Sequence, residues 1–140
     1  MAKRYEWSTE LDSEIVVSMI RYETAEELLS KMWNTPIEEL SSCSMGGYDG
    51  DGKEYNFSFT EMIQNIKTMG CYAFANDKKE IHFWVDVAVC DPIDFVGMIG
   101  HEKGHLTKPF LDDEMEEEIK ADGHGNSSAF AFRIYKDIYK

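Results

Sequence analysis

Asp91-Pro92-Ile93-Asp94-Phe95-Val96-Gly97-Met98-Ile99-Gly100-His101-Glu102-Lys103-Gly104-His105-Leu106 is the stretch on which the reading of this chain turns. It opens as a helix should. Asp91 offers an N-cap oxygen, and Pro92 suits the first helical position, where no N–H is needed. The helix is expected to run to Leu106 and to stop before Pro109. It ends on His101-Glu102-Lys103-Gly104-His105, an HExxH motif. Residues four apart share one helical face, so His101 and His105 can turn both imidazoles on one metal ion. Glu102 is displaced round the helix, beside the metal and outside its ligands, where it can act as general base on a metal-bound water. Two unconnected helical histidines are the plain alternative, but this spacing in this context favours zinc.

Catalytic zinc takes three protein ligands and keeps a fourth position open. The third is expected downstream, where Asp112 or Asp113 caps a helix that runs through an acidic stretch to about Asp122. Gly123 and Gly125 interrupt or end it, and residues 127–139 form a last helix with Phe130, Ile134 and Ile138 stacked. The candidates are Glu114, Glu116, Glu117 and Glu118. Glu118 stands out because Asp122 lies four residues on, on the same face. A ligand His commonly gives its second ring N–H to a carboxylate, so Glu118 can bind zinc while Asp122 orients His101. Glu117 is paired with Ala121, which cannot do this. Glu114 has Glu118 as its carboxylate partner but sits nearer the turn. Glu114 and Glu117 remain the alternatives, and a solvated acidic face accounts for Glu116.

Residues 92–125 resemble the metal-binding core of the gluzincin metallopeptidases: an HExxH helix, a short loop, and ExxAD on an antiparallel helix, here Glu118-Ile119-Lys120-Ala121-Asp122. The resemblance implies one zinc ion at His101, His105 and Glu118, with Glu102 as base and Asp122 behind a ligand. Twelve residues separate His105 from Glu118, closer to compact single-domain members than to the large thermolysin-like enzymes. Those enzymes carry a His or Tyr on a later domain to stabilise the oxyanion, and no such domain is expected here. His124, two residues after Asp122, is the candidate for that role or for an alternative ligand. Other zinc patterns fit worse. The metzincin pattern needs Gly at 108 and His at 111, where Lys108 and Leu111 stand. Peptide deformylase pairs HExxH with a Cys in a Gly-Cys-Leu context, which Cys90 lacks; Cys90 reads as a small buried residue.

Around this core, residues 9–22 place Leu11, Ile15, Val16, Met19 and Ile20 at helical spacing. Thr24 and Glu27 form a capping box for a helix carrying Leu28, Leu29 and Met32. Thr35-Pro36-Ile37-Glu38 starts a short helix that ends before Gly46-Gly47. Residues 46–53 read as a turn-rich loop, and 58–69 as a helix closed by Gly70. Residues 71–75 then read as a strand and 76–79 as a turn. Residues 81–89 alternate: Ile81, Phe83, Val85, Val87 and Val89 on one face, His82, Trp84, Asp86 and Ala88 on the other. That is a half-buried strand and half of an antiparallel hairpin. The expected class is α+β and zincin-like, with helices packed on a small, mainly antiparallel sheet. The chain reads as one domain over 1–140, with a mainly helical part to 70, a β-hairpin over 71–90, and zinc-binding helices over 91–140.

With 140 residues, 43% of them apolar, the chain can bury a core without disulfide staples. A net charge of −13 argues against direct nucleic-acid contact, which needs clustered Lys and Arg, and otherwise reads as solvated helix faces. Cys43, Cys71 and Cys90 are odd in number and contain no CxxC pair, which points to a reducing compartment. No apolar run follows the basic start and none is long enough to span a membrane, so a soluble, cytoplasmic protein is expected. Asp49-Gly50-Asp51-Gly52 lacks the remaining ligands of a calcium loop and reads as a turn.

The expected activity is hydrolysis of a peptide or amide bond in a peptide or protein substrate, by a zinc-bound water activated by Glu102. An extended substrate would pair with the strand leading into the HExxH helix. The Trp84 face either lines that groove or packs under a helix, and Tyr72 and Tyr135 are further candidate donors. The rival is a catalytically silent, zincin-like binding or inhibitory protein with a structural zinc. A closed four-ligand site would mark the rival, and an open groove the enzyme.

Overall fold

Residues 9–22, expected as a helix, instead end one strand and build a second. β1 (Tyr5–Leu11) and β2 (Ile15–Arg21) pair antiparallel in the computed structural model. Ile15, Val16, Val17 and Ile20 are β-branched, stiff at χ1, and suit a pleated surface better than a helix. Their spacing misleads because this sheet is covered on both faces. Val17 and Ile20, on opposite faces of β2, are both buried, in two different apolar clusters, so no alternation marks the strand. The structure describes residues 5–11, 15–42, 44–48, 51–107 and 111–138; the chain start, Cys43, Asp49, Gly50, Lys108, Pro109 and Tyr139 lie outside them.

After β2 come α1 (Ala25–Met32), a 3-10 turn (Ile37–Ser42), β3 (Ser44–Tyr48), β4 (Glu54–Ser58), α2 (Phe59–Met69), β5 (Cys71–Ala75), β6 (Glu80–Val85), α3 (Pro92–Leu106) and α4 (Glu114–Ile138). Capping chemistry sets several boundaries. The Thr24 and Ser58 hydroxyls accept the N–H groups of Glu27 and Glu61, and Asp91 accepts that of Ile93. Gly70 ends α2 in the left-handed region at φ 81°. A Cβ there would also stand 2.8 Å from the Cys90 nitrogen, so both conformation and space demand Gly. The helix expected after Pro36 is only the 3-10 turn. Of the loop expected at 46–53, residues 46–48 belong instead to β3, in which Gly46 and Gly47 pair with Asn56 and Tyr55.

The class is α+β, but the sheet is mixed. Its order is β1-β2-β6-β5. β1 and β2, and β5 and β6, are antiparallel, whereas β2 and β6 are parallel. The part up to residue 70, expected to be mainly helical, holds four of the strands. β6 is shorter than expected. Asp86 accepts the Ala88 N–H on its carboxylate and those of Val89 and Cys90 on its carbonyl. The chain turns there and leaves Val87 exposed. Nor is β6 half-buried: Ile81 and Phe83 join the cluster under α3, while Trp84 joins that under α1 and α2. No helix of the described residues is long and apolar enough to cross a membrane.

Asp113 accepts the Glu116 N–H where α4 starts. The helix does not break at Gly123 or Gly125 but continues to Ile138. Gly125 is a point of contact. A Cβ added there would lie 2.6 Å from the Gly97 carbonyl oxygen; at Gly100 it would lie 2.4 Å from Ser128 Oγ, and at Gly104 2.8 Å from Ala121 Cα. Each mid-helix Gly costs roughly 1 kcal/mol against Ala, and the compensation is an antiparallel pair of helices with nearly touching backbones. Gly104→Ala should therefore lose about 1–3 kcal/mol of stability, the usual cost of overpacking. Gly97→Ala, whose added methyl would find its nearest neighbours at 3.5 and 3.6 Å, should be neutral or gain up to about 1 kcal/mol. Denaturant unfolding of the two variants measures the contrast, and equal stabilities would contradict the close seam.

Candidate metal centre

The seam decides which side chains meet across the helix pair. His101 and His105, one turn apart on α3, direct their Nε2 atoms toward Glu118 on α4. His101 Nε2 lies 3.2 Å from Glu118 Oε2, His105 Nε2 lies 3.4 Å from Glu118 Oε1, and the two Nε2 atoms are 3.1 Å apart. Tetrahedral zinc with bonds of about 2.0–2.1 Å holds its donors about 3.3 Å from one another, so the triangle has the size zinc needs. The far side of each ring faces an acid: His101 Nδ1 is 2.8 Å from Asp122 Oδ1, and His105 Nδ1 is 2.9 Å from Glu117 Oε2. A carboxylate only accepts, so each Nδ1 donates to its acid, which leaves each Nε2 to present a lone pair to a cation or, when protonated, to donate to Glu118. Two imidazoles and a carboxylate are a donor set that fits zinc. Among the described residues, these three form the one group of His, Cys, Asp and Glu side chains that converges in this way.

Asp122 stands where the sequence places it, behind His101. Glu117 does not fit its expected place as a mere neighbour of Ala121, because it holds His105. Its partner is a ring on the facing helix, not a residue one turn along its own. The antiparallel register that sets Asp122 beside His101 sets 117 and 118, one turn earlier, beside His105, and that register was the available signal. Glu117 is itself held by the Leu111 N–H at 3.2 Å and by Lys120 at 2.9 Å. Burial alone would raise its carboxyl, but hydrogen bonds from Lys120, His105 and Leu111 hold it below the usual carboxylate range. Lys120 also donates to the Thr107 carbonyl at 2.6 Å, closing the end of α3. Glu114 and Glu116 are exposed.

Glu102 is buried next to the triad and is not one of its donors. Burial pushes its carboxyl up to about 8; the nearby Glu118 adds to the rise, and the Ala75 backbone amide draws it back. A divalent cation among the donors would draw it down further. Glu102, His101, His105 and Glu118 line one side of an open groove of about 1250 Å³. Its floor is β5, the sheet's edge strand on this side. Gly70 and Asn76 both bond to β6, through Asp86 N–H and Glu80 C=O. By antiparallel alternation, Cys71, Ala73 and Ala75 therefore turn their N–H and C=O groups outward to the groove. The strand leading into α3, expected to receive a substrate, is β6, which lies inside the sheet and has no free edge. Trp84 packs under α1 and α2, whereas Tyr72 lines the groove. His124 is exposed and rests against Gly104, and neither it nor Tyr135 lines the groove.

Compared with known proteins, the chain matches no family model, no curated protein and no solved structure. The ligand assignment therefore rests on the geometry. Glu118→Ala should abolish stoichiometric zinc binding. Glu117→Ala and Asp122→Ala should each weaken it by about 10–100-fold, as loss of a His-orienting carboxylate does. Glu116→Ala should leave it unchanged. Competition with a chromophoric chelator ranks the four variants, and a Glu116 effect equal to that of Glu117 would undo the assignment.

Proposed function

We propose that the chain is a zinc-dependent metallopeptidase of the HExxH type, similar to the gluzincins, that cleaves a peptide or amide bond in an extended peptide or protein substrate. The observation that carries this reading is the open side of the triad: its three donors and Glu102 face one groove along a free strand edge. A closed four-ligand site would have favoured the structural-zinc reading. Zinc held at the triad supplies polarisation of the scissile carbonyl and acidification of water. The rest is done by the chain. The outward N–H and C=O groups of Cys71 and Ala73 can pair with an extended substrate, as edge strands do. Asp122 and Glu117 fix the orientation of the two rings. Burial and the neighbouring Glu118 make Glu102 a stronger base than an exposed carboxylate. It takes a proton from the attacking water and returns it to the leaving amine nitrogen as the C–N bond breaks. A cytoplasmic setting accompanies this reading, because three cysteines with no CxxC pair are ordinary in a reducing compartment.

Glu102→Gln tests the proposal, since it removes the base and leaves all three donors. The variant should keep its zinc and its melting temperature and lose hydrolysis of a susceptible peptide by about 10²-fold or more. His101→Ala should lose zinc and hydrolysis together. If Glu102→Gln matches the wild type in every assay that His101→Ala fails, the zinc is structural and the protein is a binding module.

A further inference from the structure

The two walls of the groove differ in chemistry, and an extended peptide on β5 would touch both. Ala73 and Ala75 turn toward α3, whereas Tyr72 and Phe74 turn toward the cluster under α1 and α2. Met32 and Met69, the last residues of α1 and α2, complete that second wall. It is apolar but for the Tyr72 hydroxyl. The α3 wall presents Asp94, Met98, His101, Glu102 and His105 at helical spacing. β5 and α3 run in the same sense: Asp94 lies close enough to Cys71 for its charge to act on that thiol, and Glu102 meets the Ala75 amide. The triad therefore sits at the Ala75 end of the groove and Asp94 at the Cys71 end. Asp94 is exposed, and its carboxylate has neither a hydrogen bond nor an ion pair among the described residues. The remaining charges lining the groove lie elsewhere. Glu102 and Glu118 belong to the centre, and Asp77 and Lys79, opposite in sign, stand in the turn after Ala75.

We propose that Asp94 selects a basic side chain, Lys or Arg, about three residues C-terminal to the scissile bond, directly after an apolar residue that faces the Met32 and Met69 wall. The inference rests on the zinc-peptidase reading above. Asp94 precedes His101 by seven residues, about 10 Å of helix, and an extended chain covers that length in about three residues. Antiparallel pairing is the stronger kind. A substrate so paired runs from Ala75 toward Cys71, and its C-terminal part passes Asp94. Its side chains alternate between the two faces of the sheet it extends, so when the third residue turns to α3 the second falls on the apolar wall. The stem of a Lys or Arg can lie along Met98 and leave its charge at the carboxylate. The net charge of −13 draws basic segments to the chain in general, and Asp94 fixes where along the groove the basic residue falls.

Peptides that carry an N-terminal hydroxamate test this without any cleavage. The hydroxamate chelates zinc and fixes the register, so the residues after it run along the groove toward Asp94. Three such tripeptides, with Leu second and Lys, Gln or Glu third, are titrated calorimetrically into the zinc-loaded full chain. The Lys peptide should bind about tenfold more tightly than the Glu peptide, with Gln between, since an exposed ion pair gives about fivefold at most and Glu adds repulsion. Ser in place of Leu at the second residue should weaken binding about fivefold or more. Asp94→Asn should cut the Lys-over-Glu ratio to about twofold. Asp77→Asn makes the same change of charge at the other end of the groove and should leave the ratio as it was. An acid in the first turn of a helix also favours the helix itself, so zinc content and melting temperature are the controls for Asp94→Asn. Equal binding of the three peptides overturns the proposal and leaves the zinc reading standing. So does a ratio that Asp77→Asn reduces as much as Asp94→Asn. A chain that takes up no zinc, or that binds none of the hydroxamates when loaded, overturns both.

Discussion

How closely α3 and α4 approach determines everything at the candidate metal centre. Helix axes usually stand 8–10 Å apart, depending on the side chains between them. A glutamate is short, and Glu118 must place both oxygens within 3.4 Å of two rings on the other helix. Gly100 and Gly104 on α3, against Ala121 and Gly125 on α4, provide that approach. Larger side chains there would move the carboxylates out of reach of the imidazoles. The other side of α3 is fixed equally firmly, because Phe95, Met98, Ile99 and Leu106 pack on the sheet. α3 is thus held between the sheet and α4, and its histidines have little freedom to point elsewhere.

The same seam sorts the acidic run of α4 into two classes. Read as sequence, residues 114–122 are a block of negative charge, and a solvated face is the natural reading. Glu114 and Glu116 fit that reading. Glu117, one residue further round, is mostly covered and receives three hydrogen bonds. Glu118 and Asp122 reach the two rings. Both stay more than half exposed, so what sets them apart from the solvated pair is the ring that each one reaches. A net charge therefore says little about a site until the helix phase is known.

What was legible in the sequence was local. Asp91, Pro92 and the HExxH spacing define α3 within its own residues, and the ExxxD spacing of Glu118 and Asp122 needed only a second helix. What was not legible depended on distant partners. β2 carries apolar residues on both faces because α3 covers one and α1 and α2 the other, and although α1 follows it directly, α3 starts some seventy residues on. Gly123 and Gly125 are helix breakers by propensity, but packing on α3 carries the helix through them. The order β1-β2-β6-β5 is a pairing across some sixty residues. Nothing in the hairpin of β5 and β6 says which strand will find β2, and so which edge stays free for the groove.

The histidines separate by what their ring nitrogens face. His82 is fully buried, stacked on Phe74 at 4.8 Å. Its Nδ1 meets the Tyr22 hydroxyl at 2.8 Å, and its Nε2 lies 3.2 Å from Glu80 and 3.3 Å from the Asn76 amide. Protein groups meet both nitrogens, so His82 is a structural residue. His101 and His105 each have one nitrogen held by a carboxylate behind the ring, and turn the other toward a point shared with Glu118. That convergence of three donors, together with the motif, is the physical ground for the metal proposed there. Through Asn76 and Glu80, His82 also meets the turn that follows Ala75, whose backbone amide bonds to Glu102.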